Sequence, residues 1–351
     1  LGTHPPGSAS LGATRAPLDE VVAADPGGTL GDYLAGRFGG LPFLMKLLSA
    51  AEPLSLQAHP STEQAIAGFE HEEQVGIPLT ALHRSFRDRR HKPELVCALT
   101  PFRALCGFRE PVSTLDLLAT LDTSALDPVR DRLAADPGPR GLRGVVAWLL
   151  GLDPGSAERV VTAAVAACGS VDGARFGEER ALIPDLAARH PADAGVVIAL
   201  LLNLVTLAPG DALYLGAGIL HAYLSGTVVE VMANSDNVLR GGLTGKHIDV
   251  MGLLDVLDTA PTVPAVQHRR PDAAVQVYEA PVDDFRLRRL HLGPDRTAVL
   301  GPGPAIALCT SGRVDVGPHT LESGDALWVP AADGAVDVVG EGVVFEASAG
   351  R

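Results

Sequence analysis

The stretches PGDALYLGAG, residues 209–218, and SGDALWVPAA, residues 323–332, share a Gly-Asp-Ala-Leu-aromatic-aliphatic core, 114 positions apart. In each, a Gly-Asp turn leads into a short run of β-forming residues, so each reads as a turn followed by a strand. Repetition of such a unit indicates two copies of one β fold. The first copy runs on to His221, whereas the second reaches Asp333 and Gly334 and offers no ligand.

Residues 263–351 carry strands about ten residues apart, the pattern of an antiparallel sandwich or barrel. Upstream, residues 41–110 contain FLMKLL, PLSLQAH, ELVCAL and FRALCGF, short strands bounded by Pro, Gly or charged loops. The few residues between the first two predict a hairpin. From about 111 to 205 the spacing becomes helical. Ser113 with Asp116 resembles a capping box, Asp153 caps a helix that Gly169 stops, and Asp193 precedes the apolar run Ala194 to Leu207, read as a buried helix. The expectation is a mainly β chain with an inserted α-helical domain. Its domains are 1–110 with 206–262, then 111–205, then 263–351, with DTAPTVPAVQHRRPD as a linker between the β parts.

At 351 residues, two or three domains with a sizeable core are expected. Hydrophobic residues make up 46% and charged residues 20%, which excludes a largely disordered chain. The net charge of −14 argues against nucleic acid or an anionic membrane as partner, since either demands a basic surface. A small anionic substrate would need a local cluster of Lys and Arg. Cys97, Cys106, Cys168 and Cys309 show no CxxC pair, so they read as buried thiols of a reducing compartment. The apolar run at 194–207 is too short to span a membrane. LGTHPPGSAS, without a methionine, reads as a loop entered midway, so a preceding segment is expected.

Three stretches offer chemistry. EPLSLQAHPS, residues 52–61, alternates with period two: Leu54, Leu56 and Ala58 on one face, Ser55, Gln57 and His59 on the other. In HKPEL, residues 91–95, Pro93 favours an extended Lys92, which then shares a face with Glu94. In residues 216–249, a Gly-rich turn delivers His221 and Tyr223 onto one strand face and Glu230 follows. Beyond it lies a long polar loop with Asn234, Ser235, Asp236, Asn237, Arg240 and Lys246. Two imidazoles, a carboxylate and an amide oxygen form a nitrogen/oxygen set suited to Zn²⁺.

LPFLMKLLSAAEPLSLQAHPS, HKPEL, LYLGAGILHAYLSG and EVMANSDNVLRGGLTGKHID, in this order and spacing, resemble the type I phosphomannose isomerases. The resemblance covers nearly the whole chain and is weakest in the helical block and the last 90 residues. It implies two cupin-like (jelly-roll) β domains with a helical domain attached. It implies one Zn²⁺ per chain held by Gln57, His59, Glu94 and His221, and catalysis by Arg240 with Lys92 and Glu230. Ser55, Lys246 and Tyr223 fall at substrate positions. LGTHPPGSAS looks like the family's GTHP segment, which normally follows several tens of residues of β structure.

The implied reaction is interconversion of mannose 6-phosphate and fructose 6-phosphate through an enediol, in a cytoplasmic monomer or weak oligomer. The general base is Lys92 or Glu230. Lys246 supplies local positive charge for the phosphate, and Arg240 stabilises developing negative charge. Two other classes fit parts of the pattern. Two histidines and a glutamate also resemble the facial triad of non-haem iron oxygenases, against which Gln57 argues by filling a coordination position. A sugar-phosphate binding protein without turnover is the other.

Overall fold

A computed structural model of the chain describes residues 1–4, 7–12, 15–169 and 175–350. A two-strand ladder, β1 (Ser10–Leu11) and β2 (Ala16–Pro17), is followed by the short helices α1 (Leu18–Ala24), α2 (Pro26–Leu30) and α3 (Asp32–Phe38). Next come β3 (Phe43–Ala50), β4 (Leu56–Ala58), α4 (Thr62–Gln74), β5 (Glu94–Ala98) and β6 (Phe102–Phe108). Helices α5 (Pro111–Ala119), α6 (Asp127–Ala135), α7 (Pro139–Leu150), α8 (Pro154–Cys168), α9 (Gly177–Arg189) and α10 (Gly195–Ile198) form the helical block. Then follow β7 (Leu202–Leu207), β8 (Ala212–Leu215), β9 (His221–Ala233), β10 (Leu239–Gly242), α11 (Val250–Val256) and β11 (Val266–Gln267). The C-terminal part is all antiparallel: β12 (Val275–Tyr278), β13 (Arg286–Leu292), β14 (Ala298–Leu300), β15 (Ala305–Val316), β16 (His319–Glu322), β17 (Ala326–Val329) and β18 (Val336–Ser348).

The strand β9 organises the first half. Its residues 221–225 pair with β4 and β6, while residues 226–233 pair with β3 and β5. One strand thus belongs to two facing sheets, a device by which sandwiches turn their corners. The bend falls at Gly226, whose φ is +106°. A Cβ there would lie 2.4 Å from the Pro101 carbonyl oxygen, so the close approach requires glycine.

Period-two alternation then sorts the described side chains into four apolar layers. Val96, Ala98, Phe102, Ala104, Leu213 and Val228 fill the space between the two sheets. Leu56, Ala58, Leu105 and Ala222 face outward from one sheet into the helical block. From the other sheet, Phe43, Met45, Leu95 and Val231 face outward onto the N-terminal helices and onto Tyr278, Phe285 and Phe345 of the C-terminal sheet. The C-terminal strands enclose a core of their own around Leu290, Cys309, Val314 and Val344.

The repeated turns are built alike. Gly210 and Gly324 take φ of +92° and +100°. Each following aspartate exchanges two bonds with the residue three before it. Asp211 N donates to Ala208 O at 2.9 Å and its carboxylate accepts from Ala208 N at 3.3 Å; both bonds of Asp325 with Glu322 are 2.9 Å.

Several expectations need correction. Helix and strand occupy nearly equal shares, 33% and 31%, because α1–α4 and α11 add to the helical block. The hairpin between FLMKLL and PLSLQAH does not form: β3 pairs with β9 in one sheet, and β4 pairs with β9 and β10 in the other. Leu54 precedes β4 and is exposed, so only Leu56 and Ala58 anchor that strand. Helix α5 starts at Pro111, upstream of Ser113.

The run 194–207 is helical only to Leu201 and then becomes β7. There Asn203 Nδ2 lies 2.9–3.2 Å from the carbonyls of Cys106, Gly107, Phe108 and Thr262, which pins the segment to the sheet. The expected linker is not free either. β11 pairs with β8, and Arg269 N donates to Asp211 at 2.9 Å.

The Asp153 cap is present, accepting from Ser156 N at 3.0 Å, and α8 stops at Gly169. All four cysteines are buried and free. Among the described residues no helix is long and apolar enough to cross a membrane.

Candidate metal centre

The two facing sheets present a polar group of side chains to one another at one end of the sandwich. On one sheet, the backbone of Gln57 stands opposite Arg240 of β10 on one side and opposite His221 of β9 on the other. Directly opposed residues share a face, so Arg240, Gln57 and His221 form a row across three strands. On the other sheet, Lys46, Glu230 and Val96 form a row, and Glu94 shares the Val96 face two residues away. Between the rows, His59, Glu94 and His221 bring ligand atoms within 4.8 Å of one another, all three residues buried.

The protons on the two imidazoles are placed by the backbone. His59 Nδ1 donates to Asn237 O at 2.8 Å, and His221 Nδ1 donates to Ile219 O at 2.9 Å. A carbonyl can only accept, so in each neutral ring Nε2 carries a lone pair. Those lone pairs face Glu94: His59 Nε2 is 3.1 Å from Oε1, and His221 Nε2 is 3.5 Å from Oε2. His221 Nε2 is buried without a hydrogen-bond partner. Acceptors aimed at acceptors in a dry interior need a cation among them; Lys92 Nζ reaches Glu94 Oε1 and His59 Nε2, but among the described residues no donor reaches His221 Nε2. The separations bracket the roughly 3.3 Å edge of a tetrahedron of ligands about 2.0 Å from zinc. The residues present therefore fit a divalent metal.

Electrostatics agree with this. Burial, then the Lys92 charge, pulls His59 down from 6.5 to about 4, so the ring is neutral at pH 7 and ready to ligate. Burial alone would raise the Glu94 carboxyl, but foremost the Lys92 charge holds it well below the usual carboxylate range. Lys92 Nζ is 3.1 Å from Glu94 Oε1 and 3.5 Å from His59 Nε2.

A second carboxylate lies behind the first. The Tyr223 hydroxyl is 3.0 Å from Glu94 Oε2 and 3.2 Å from Glu230 Oε1, and Lys46 Nζ donates to Glu230 Oε2 at 3.1 Å. Burial, then the two carboxylates, pushes the phenol well above its ordinary value. Burial opposes the Lys46 charge, but Glu230 and then Glu94 carry the ammonium above its ordinary value.

The cluster is braced from outside. Asn237 is fully buried; its Oδ1 accepts from Arg87 N at 2.6 Å and Asp88 N at 3.1 Å, and its Nδ2 donates to the Asp88 and Arg90 carbonyls. This knits the loop after β9 to the loop that ends at Lys92. Beyond His59, Ser61 caps α4 in a reciprocal pair with Gln64, so the chain passes from β4, which ends at Ala58, directly into a helix.

Of the residues expected at the site, His59, Glu94 and His221 converge, and Lys92, Tyr223 and Glu230 contact them directly or through one another. Gln57 and Arg240 stand beside them in register. Burial, then Arg87, lowers Arg240 from its ordinary value, and it remains charged at neutral pH. Tyr223, expected to meet substrate, is buried with its hydroxyl held between two carboxylates. Ser55 is half-buried just before β4, and Lys246 is exposed in the loop after β10. Sequence reading missed Lys46. Its signal was a lysine inside the otherwise apolar strand FLMKLL.

Two sheets sharing a strand, with histidine nitrogens and a carboxylate converging between them, define a β-sandwich protein with a single-metal centre. Residues 1–111 match the family model for the type I phosphomannose isomerase catalytic domain, and the mannose-6-phosphate isomerase of Escherichia coli (strain K12) is 35% identical over 97% of this chain and 88% of its own. The chain belongs to the type I phosphomannose isomerase family, the mannose-6-phosphate isomerases. Mannose-6-phosphate isomerase 2 of Arabidopsis thaliana is 32% identical over 99% of this chain and 82% of its own. The Salmonella typhimurium enzyme, solved bound to fructose 6-phosphate and zinc, superposes with a TM-score of 0.91 at 34% identity, covering 100% of this chain and 90% of that one.

Proposed function

We propose that this chain is a zinc-dependent aldose–ketose isomerase interconverting mannose 6-phosphate and fructose 6-phosphate. The observation that carries the reading is the pair of imidazoles whose Nε2 lone pairs face Glu94 across a buried gap. His59, Glu94 and His221 would hold the metal, with the Gln57 amide oxygen as fourth ligand. Bound there, zinc supplies a positive charge that polarises or orients the sugar oxygens.

The remaining work falls to side chains around the ligands. Isomerisation removes a weakly acidic proton next to a carbonyl and returns it to the neighbouring carbon, so it needs a base and a fixed positive charge. Glu230, an acceptor held between the Tyr223 hydroxyl and the Lys46 ammonium, takes the proton. Lys92, ion-paired to Glu94, is a donor to the sugar oxygens. Arg240, in the row beside Gln57, stabilises negative charge on the enediolate. Lys246 meets the phosphate and Ser55 a sugar hydroxyl, while Tyr223 positions Glu94 and Glu230 rather than touching substrate.

The same reading divides the chain into a catalytic cupin-like domain, a helical domain and a C-terminal cupin-like domain (263–351), with the expected boundary at 205/206 moved to 201/202 because β7 pairs with β6. The matched turns at Asp211 and Asp325 support the pairing of the two β domains. Four buried free thiols support a reducing, cytoplasmic setting.

The test is a coupled assay with mannose 6-phosphate. Turnover should disappear on chelation and return with Zn²⁺. Zinc-loaded, folded protein that converts neither sugar phosphate would sink the assignment.

A further inference from the structure

Among the described residues, one arginine of the C-terminal sheet forms neither an ion pair nor a hydrogen bond through its Nε. On β13, Arg286 and Arg288 lie two residues apart and so on one face; opposite them on β18 stand Ser348 and Glu346. The Arg288–Glu346 rung is closed by an ion pair, and the same carboxylate accepts from Gly301 N at 3.3 Å.

The Arg286–Ser348 rung is open. Arg286 Nε and Ser348 Oγ are both buried with no hydrogen-bond partner, and Arg286 forms no ion pair among the described residues. Glu346 feels the Arg286 charge, but its oxygens are taken by Arg288 and Gly301. A buried polar atom left in this state is unfavourable unless something completes it.

Both residues line one cavity of about 410 Å³, between α2 and α3 on one side and the C-terminal sheet on the other. Leu30, Leu34, Pro302 and Pro304 make its walls largely apolar, and among the described residues Asp32 is the one carboxylate in the lining. None of its lining residues belongs to the metal cluster.

We infer that this cavity is a second binding site, for a small organic monocarboxylate. The missing acceptor at the open rung must sit between a guanidinium and a hydroxyl, which a carboxylate satisfies with its two oxygens. Arg286 supplies one positive charge for one carboxylate, while the exposed Asp32, not ion-paired to it, disfavours a second negative charge such as that of a phosphate dianion. The volume leaves room for an apolar body of several carbons against Leu30 and Leu34.

The test is a ligand-observed NMR titration of the zinc-loaded protein with butyrate, with mannose 6-phosphate present in excess so that the metal centre is occupied. Butyrate should bind with a Kd on the order of 1 mM. Binding should weaken about tenfold or more in Arg286→Met. It should vanish in Ser348→Glu, which supplies the acceptor that Glu346 supplies to Arg288, and that variant should melt at or above the wild-type temperature. Zinc content and melting temperature report folding of each variant independently of turnover; if Arg286→Met fails to fold, Ser348→Ala replaces it and should weaken binding severalfold. Absence of butyrate binding to the wild type, or binding unchanged in folded variants, overturns the site. Inorganic phosphate binding more tightly than butyrate in an Arg286-dependent way overturns the ligand class.

Discussion

His59 and His221 reach the centre with their protons already directed away from it, and that arrangement depends on backbone carbonyls that only the folded loops supply. Asn237 is the keystone for His59, since its carbonyl takes the Nδ1 proton while its side chain satisfies two amides and two carbonyls of residues 87–90. Asn237→Ala should therefore lower stability by about 2–3 kcal/mol, because buried groups lose their partners. It should also weaken zinc binding on the order of 10–100-fold, read by competition with a chromogenic chelator. Arg240→Ala makes a contrasting case. It removes a charge beside the ligands and no ligand, so zinc stoichiometry and melting temperature should stay near wild type while kcat falls by about 100-fold or more. Wild-type kcat in that variant would take Arg240 out of the chemistry. His59, Glu94 and His221 were legible in the sequence as candidates from period-two alternation, the extended segment before Pro93 and the Gly-rich turn before His221, and the family resemblance assigned them to a metal. Lys46 was not: an amphipathic lysine in a strand shows its purpose only when Glu230 is placed opposite it.

At the scale of elements, the site exists because β9 serves two sheets. His221 and Tyr223 lie before the bend and Glu230 after it, so the geometry of Gly226 sets the distance between the imidazole and the second carboxylate. Gly226→Ala should cost roughly 2–4 kcal/mol, from positive φ and from collision with the Pro101 carbonyl. Urea unfolding measures the loss, and because the two halves of the site shift together, kcat should drop as well. An alanine variant as stable and active as wild type would show that the bend does not set the site. Sequence periodicity revealed the repeated turn and the helical block, since a Gly-Asp turn and a 3.6-residue pattern are local signals. It could not separate α10 from β7 within the run 194–207, because buried helix and buried strand look alike when nearly every position is apolar. Nor could it place β3 and β4 in different sheets, a choice made by β9, more than 160 residues away.

At the scale of the whole molecule, buried ionisable groups set the pH range in which the metal-free fold can stand. His59 titrates near 6.5 when unfolded and near 4 when folded, so between those values the unfolded chain binds more protons and stability rises with pH. The contribution is complete above about pH 6.5 and is lost as pH falls towards 4. Glu94, also held below its unfolded value, adds a loss of the same sign at still lower pH. Lys46 and Tyr223 are raised, so their contributions are present at neutral pH and are lost only at strongly alkaline pH. The expected outcome is a plateau for the chelated protein from about pH 6.5 to about 10, with His59 alone removing up to about 3 kcal/mol on the acid side. Urea titrations at several pH values between 4 and 8 measure it. Zinc binds the folded state through the same lone pairs that protons would occupy, so loaded protein should be more stable at pH 7 and should lose its metal over this acid window. His59→Gln, which cannot titrate there, should flatten the acid limb while weakening zinc binding. If the chelated wild type is as stable at pH 4.5 as at pH 7, His59 is not buried neutral, and the arrangement of lone pairs on which the metal assignment rests fails with it.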